Sequence, residues 1–389
     1  MAAPRSGLSA QAMIVTETTV NTYAAPTAGL WLVDEAIKRE VQKIKSNAIV
    51  ATRRLMTADQ HYNGNETIAG PLHVELTDLG AEHALALLWG APVKTGGGPT
   101  YTRTWAGPLD LFGASATLQI GRPDVSGTVQ PFTFTGLKAT GGEIGLSVGE
   151  VAVLSADTVA MNEILVRTVA DGVTNTDTAL TSATAVFTPD DVGKPVSGTG
   201  IPAATTISAY VSATAVTLSA ATTATATGVT ITIGVALASA AYTASMKPFT
   251  FIGGSVTASS VTVGGAAPSA VKKATLKVSR PQDTDRRGIG SARILQPIEN
   301  ELGSVKLELD CEFDGLTHYR RYIANSEHAA VLTLVSGTNT LTITMNGYYE
   351  MPPDPKVDGA GIVRQTIGLD MAGSTDAAAF TAVLVNTVA

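Results

Sequence analysis

Several short stretches carry residue types that could do chemistry. Gly145-Leu146-Ser147-Val148-Gly149 has the G-x-S-x-G spacing that exposes a nucleophilic serine at a strand-to-helix turn. Such a serine needs a helix behind it. Glu150-Val151-Ala152-Val153-Leu154 instead alternates as another strand, so a hairpin is expected. Asp283 and Asp285 ahead of Gly288 have the start of a calcium loop, but its twelfth position is Ile294, which cannot supply the bidentate carboxylate. In Gly198-x-Gly200-x-x-Ala203, Pro202 stands where a phosphate-binding helix would begin. His61, His73, His83, His318 and His328 show no metal-ligand spacing. Cys311 is the single cysteine and sits in a strand pattern, as a small buried filler would. The sequence therefore predicts no catalytic, cofactor-binding or metal-binding residues, and no enzyme.

What remains is charge placed on regular elements. Arg53-Arg54 and Arg286-Arg287 each lie in a long polar loop and lead into an alternating strand. They are either solvated or make electrostatic contacts with a neighbouring subunit. Glu75 and Glu308 fall on strand faces opposite the apolar residues. Leu72, Val74 and Leu76 alternate with His73 and Glu75; Val305, Leu307 and Leu309 alternate with Lys306 and Glu308 in the same phase.

These positions repeat. A shift of 233 residues superposes 53–76 on 286–309, with identity at Arg53, Arg54, Glu66, Gly70, Glu75 and Leu76. A helical pattern follows each strand. In the first, Thr77 or Asp78 is the expected N-cap, Glu82 suits the first turn, Leu79, His83, Ala86 and Trp89 share a face, and Gly90 is the stop. In the second, near 316–325, Leu316, Tyr319 and Ile323 are expected to point inward. The strand before the first loop is expected over 40–52, and residues 1–30 as an irregular arm. A duplicated unit, a sheet carrying one helix, accounts for the pattern.

Composition sets the class. The chain has 389 residues, 15% charged, 38 glycines and a net charge of −7. Short strands with many turns are expected, and general attraction to nucleic acid is not. No apolar run approaches membrane-spanning length, and no secretory leader is visible. From Thr168 to Gly234 the residues turn to Thr, Ala, Val and Ser, with Phe187 and Tyr210 the only aromatics. Repeated β-branched alternation there predicts a small β-sandwich rather than a linker. Three segments result: 1–165, 166–236 and 237–389.

Taken in order, these features resemble the tail tube proteins of long-tailed, siphovirus-like bacteriophages. The resemblance rests on Glu17-Thr18-Thr19, the basic loop before Gly70, the strand and helix over 72–89, and Phe132-Thr133-Phe134-Thr135-Gly136. Phe251-Ile252-Gly253-Gly254, Arg286-Arg287 and the strand over 307–313 extend it. Asp190-Asp191-Val192-Gly193-Lys194-Pro195 through Gly198-Thr199-Gly200-Ile201-Pro202 is similar to small β modules of phage structural proteins. The resemblance implies a mainly β fold: two tail-tube-type β-sandwich or barrel-forming domains, each with one short helix, plus a small Ig-like β module.

It further implies a structural virion protein of the phage tail, made in the host cytoplasm, whose stacked rings form the conduit for DNA. Implied partners are further copies of itself, the tape measure protein and the tail terminator and tip proteins. Double-stranded DNA would pass without specific binding, and no membrane or cofactor is involved. If one chain holds two copies, three chains close a pseudo-sixfold ring. If the repeat is accidental, six chains do. Glu75 and Glu308 become candidate lumen-facing acids, and the Arg pairs candidate inter-subunit contacts. The competing expectation is a surface adhesin or tail-fibre component that binds cell-surface glycan through the Thr/Ala-rich module.

Overall fold

The structure is a computed structural model that describes residues 6–46, 55, 60–98, 100–107, 112–240, 246–251, 259–357 and 359–387. It is mainly β, with three short α-helices among the described residues. The strands fall into two compact units: Met1–Gly29, Ser115–Leu137 and Ala160–Ala241 form one, and Leu30–Ala114, Lys138–Val159 and Tyr242–Ala389 the other.

In chain order the first half contains β1 (Gln11–Thr16), β2 (Ala28–Glu35), β3 (Lys38–Lys45), β4 (His61–Glu75), α1 (Ala81–Trp89), β5 (Val93–Gly97), β6 (Thr100–Ala106), β7 (Ala116–Pro123), β8 (Val129–Ser147), β9 (Val153–Ala160) and β10 (Asn162–Leu165). The middle segment contains β11 (Arg167–Asn175), β12 (Ala179–Thr181), β13 (Val196–Gly198), β14 (Ile207–Ser212), β15 (Ala215–Leu218) and β16 (Thr225–Ile233). The second half contains β17 (Ser260–Val263), β18 (Lys273–Ser279), β19 (Ser304–Glu312), α2 (Thr317–Ala324), β20 (His328–Ser336), β21 (Asn339–Tyr349), β22 (Arg364–Met371), α3 (Asp376–Ala379) and β23 (Phe380–Asn386).

In the first unit, β1, β7, the early part of β8, and β10 pair antiparallel in that order. The expectation of an irregular arm over 1–30 fails because Met13 and Ile14 are fully buried in a strand. Glu17 follows β1 and is held by the Ser115 and Thr117 hydroxyls, at 2.5 and 2.8 Å, and by the Gly136 N–H at 2.9 Å. Those bonds satisfy a buried carboxylate and fix the β1 exit. The middle segment forms a six-stranded sheet, order β13-β16-β11-β12-β15-β14. Its core gathers Leu180, Phe187, Ile207, Val216, Leu218, Ile231 and Ile233. Asp191 is buried beneath it. Burial alone would raise its carboxyl, but bonds from Arg167, Lys194 (2.8 Å) and the Thr188 N–H hold it well below the usual range.

In the second unit one hydrogen-bonded run reads β2-β4-β9-β8-β18-β19-β22-β21, and another reads β17-β20-β21-β23-β6-β5. Alternation drives both. Along β19, Val305, Leu307, Leu309 and Cys311 are buried while the residues between them stay half-exposed. Each fully buried aliphatic side chain contributes about 1.5–3 kcal/mol.

Pairing shows the duplication more plainly than sequence does. In the first half β1 pairs with β7, β7 with β8, β8 with β10, β2 with β4, β4 with β9, and β8 with β9. In the second half β17 pairs with β20, β20 with β21, β21 with β23, β18 with β19, β19 with β22, and β21 with β22. The helix sits at the same place in each list. The repeated glycine has one physical cause: a Cβ on Gly70 would lie 2.3 Å from the Ala36 carbonyl oxygen, and one on Gly303 2.9 Å from that of Ser279. Register corrects the sequence pairing. Trp31 faces Glu75 as Thr275 faces Glu308, so β18 matches β2, and β3 with the early part of β4 is a hairpin extra to the first copy. The strand expected over 40–52 is β3, and residues 47–52 lie outside the described residues.

Candidate assembly interface

Three surfaces in the second unit bear on association: a polar sheet face, the sheet's free edges, and the helices. The polar face lies opposite Val74, Ile144, Leu154, Leu276 and Leu307. The first copy presents Glu75, Glu143 and Asp157 there, and none of these has an ion-pair partner among the described residues. The second copy balances its acids. Glu308 accepts from Lys277 at 2.9 Å, Asp310 lies 3.4 Å from Arg364, and Glu350 pairs with Lys306. Such exposed pairs contribute little stability, but they cancel charge locally.

Of the arginine pairs, Arg53 and Arg54 lie outside the described residues. Arg286 donates to the Gln296 carbonyl at 3.2 Å. Arg287 donates to the Glu66 carbonyl at 2.8 Å and the Thr67 hydroxyl at 3.0 Å, and pairs with Asp285 at 2.7 Å. Glu66 in turn accepts at both carboxylate oxygens, 2.7 Å each, from the Nη2 of Arg39. A loop of the second copy thus grips the extra hairpin of the first, inside one chain. Ser147, singled out by its spacing, ends β8; Glu150 turns back onto it and the chain continues as β9, so no helix follows.

The helices differ. The sequence pattern put Leu79, His83, Ala86 and Trp89 on one face of α1. Instead α1 is buried nearly all round, because β6 and β23 cover it: Trp89 packs edge-on against Trp105 and against Phe380, with ring centroids at 5.8 and 4.9 Å. Glu82 is buried as well and pairs with Arg103, itself 1% exposed, and with Lys94. Burial alone would raise its carboxyl; the Lys94 bond and the Arg103 charge outweigh that and hold it low. The Thr77 hydroxyl accepts the Gly80 N–H ahead of the helix, and Gly90 ends it with φ 83°.

In α2 the expected inward residues face out: Leu316, Tyr319 and Ile323 are 52%, 38% and 65% exposed. The buried residue is His318, whose Nδ1 lies 2.7 Å from the Tyr349 hydroxyl. The amphipathic pattern was legible, but no described residue covers its apolar stripe, so its direction was not.

The long run ends at β2 and at β21. At one end stands β2, which pairs with β4 from Trp31 to Glu35 and on which Val33 is 51% exposed. At the other, β21 passes into Glu350–Lys356. This segment touches β22 through Glu350 N–H to Gly368 O at 3.0 Å and the Lys356–Arg364 bridge. Between those contacts lies a groove of about 600 Å³ lined by Met351, Pro352, Lys356, Ile362, Arg364 and Gln365. No local sequence pattern marks Gln365.

The sequence matches the family described as phage tail tube protein over residues 7–238 and again over 211–371, each match holding one copy of the repeat. No curated protein matches the chain.

Proposed function

This chain belongs to the phage tail tube protein family and is a structural component of the virion tail, and from that premise we propose that it is the major tube subunit, three chains closing a pseudo-sixfold ring. The observation that carries the reading is the junction inside the chain. There β8 of the first copy pairs with β18 of the second from Gly141↔Ser279 to Ser147↔Lys273, so two copies already share one sheet. A heterologous contact of this kind closes into a ring or runs on as a filament. Closure also removes the open edges at which sheets aggregate.

Stacked rings make the conduit for DNA. The polar face, with Glu75 and Glu308, lines it; Glu75, Glu143 and Asp157 repel phosphate so that the genome is not arrested, while Glu308 is balanced by Lys277. The tape measure protein occupies the bore before ejection, and the terminator and tip proteins cap its ends. The division into 1–165, 166–236 and 237–389 describes two ring-forming domains and an Ig-like decoration. In that decoration Phe187 is core and Tyr210 is the one exposed aromatic, a poor basis for glycan stacking. Negative-stain microscopy with native mass measurement tests the reading. Tubes of constant bore built from three-chain rings are expected. Six chains per ring, or no tubes and a small soluble oligomer, would overturn it.

A further inference from the structure

We propose that the groove between β22 and the proline arch at 351–355 is a peptide site, which takes the extended carboxyl-terminal end of a partner polypeptide. Gln365 and the Thr366 backbone read its amides, and Lys356 reads its carboxylate. The proposal does not depend on how rings close.

Strand alternation fixes what faces the groove. On one flank, Val363 O accepts the Phe313 N–H that follows β19, at 3.0 Å. On the other, Gly368 O accepts the Glu350 N–H at 3.0 Å, and Arg364 O the Lys356 N–H at 3.4 Å. Even-numbered backbone groups of β22 therefore turn toward the arch. Thr366 lies between those two pins, so its N–H and carbonyl point into the groove, and no described residue bonds them there. The arch is poorly made to do so. Pro352, Pro353 and Pro355 have no N–H, and the Asp354 N–H is bonded to Pro352 O at 2.8 Å.

The groove is unsatisfied in a second way. Gln365 is 3% exposed, lines it, and has neither its amide nitrogen nor its amide oxygen hydrogen-bonded. A buried amide unpaired at both ends is uncommon in a folded protein. With Thr366 it makes two donor–acceptor pairs, the complement of two peptide units of an extended chain. Met351, Pro352 and Ile362 supply apolar wall for its side chains.

One end of the groove is positive. The bridge between Lys356 and Arg364 sets two cations opposite each other, an unfavourable cross-strand pair. Asp310 lies 3.4 Å from Arg364 and relieves part of it. Asp354 also lines the groove, yet Lys356 has no ion-pair partner among the described residues. A terminal carboxylate at this end supplies one.

The pins also limit the occupant. From Gly368 to Arg364 the strand spans about 14 Å, room for about four extended residues. Both walls belong to one chain and are bonded together at both ends, so the strand of a neighbouring sheet cannot run through. A chain end can enter from the open side. The volume of about 600 Å³ suits a ligand of that size.

The test is fluorescence anisotropy on the purified full chain. The probe is a fluorescein-labelled pool of tetrapeptides with free carboxyl ends, set against the same pool amidated. The free-carboxyl pool should bind saturably and the amidated pool about fivefold more weakly. Gln365→Met keeps the volume and removes both amide groups. It should weaken binding about tenfold while its urea midpoint holds or rises, because an unpaired buried amide does not stabilise the free chain. Lys356→Gln, at an exposed side chain, should erase the difference between the pools. No saturable binding, or binding that Gln365→Met leaves unchanged, overturns the proposal. Equal affinity for the two pools overturns the assignment of the carboxylate. None of these results bears on the ring reading, which microscopy decides separately.

Discussion

The helices α1 and α2 are one element built twice, and they have opposite surroundings. Around α1, Trp89, Trp105 and Phe380 form a closed aromatic cluster, and Glu82 is sealed in with Arg103. Around α2, three large apolar side chains face water and a histidine is the buried member. A second hairpin, β5–β6, follows the first helix, and between α2 and β20 there is no equivalent. A duplicated unit thus carries one helix covered within the chain and one whose apolar stripe is exposed.

The sharpest way to break that comparison is to truncate both helices. Trp89→Ala removes a fully buried ring and should cost about 3–5 kcal/mol of monomer stability in a urea unfolding curve. Ile323→Ala should leave the same curve nearly unchanged, within about 0.5 kcal/mol. Equal losses at the two positions would mean that α2 is covered within the monomer after all.

A smaller effect tests whether the copies are equivalent where they should be. A methyl on Gly70 or Gly303 meets the carbonyl of the facing strand. Gly70→Ala and Gly303→Ala should each destabilise, by about 1–3 kcal/mol, with the closer approach at Gly70 the worse. If one is neutral, the shared glycine is not a shared constraint.

Much of this was legible in the sequence, for identifiable reasons. Strand β19 could be read because one face is buried and the other wet, so the alternation from Val305 to Cys311 survives in the text. Gly90 could be read as a stop because a positive φ favours glycine. β1 was missed because Met13 and Ile14 are buried in a run too short to show a period. Glu82 was read only as a first-turn acid, because its counter-charge, Arg103, lies on a separate strand. The match of β18 with β2 was hidden by the extra hairpin, which shifts the numbering without leaving a mark. Only the pairing pattern exposes it.

Acid should separate the two copies more gently. Burial lowers the pKa of His318, and the neighbouring Arg321 and His328 lower it too, against the opposing pull of Asp314. The unfolded chain therefore binds more protons between the folded value and the ordinary 6.5. Stability from this site is full above that range and is lost as pH falls through it. Glu82 acts in the same direction but lower: its depressed carboxyl contributes above the ordinary carboxylate value and is lost as pH falls through its folded value. Histidine NMR titration should show His318 protonating below the ordinary value, with α2 loosening before α1. His318→Gln should flatten the upper part of the pH–stability curve.

The smallest effect is expected from the largest deletion. The middle segment leaves and rejoins the rest of the chain at one point. Arg167 pairs with Ile233, and a Cβ on Gly234 would lie 2.6 Å from the Leu165 carbonyl oxygen. Its core is its own, built from Leu180, Phe187 and Ile231 among others. Residues just beyond it have a separate duty: Gln119 donates to Ala236 O at 3.1 Å and accepts from Ala238 N–H at 2.6 Å. Removing 167–234 with a short glycine linker should therefore spare those bonds and shift monomer stability by less than about 1 kcal/mol, since closing a short loop in place of a longer one changes the entropy only slightly. Tubes should assemble at the wild-type concentration. Removing 167–238 instead should do measurable harm, because Gln119 would lose its backbone partners in a buried site. If the shorter deletion already prevents assembly of a soluble, folded chain, the segment is part of the wall, and the contrast between a finished copy and an unfinished one must be redrawn to include it.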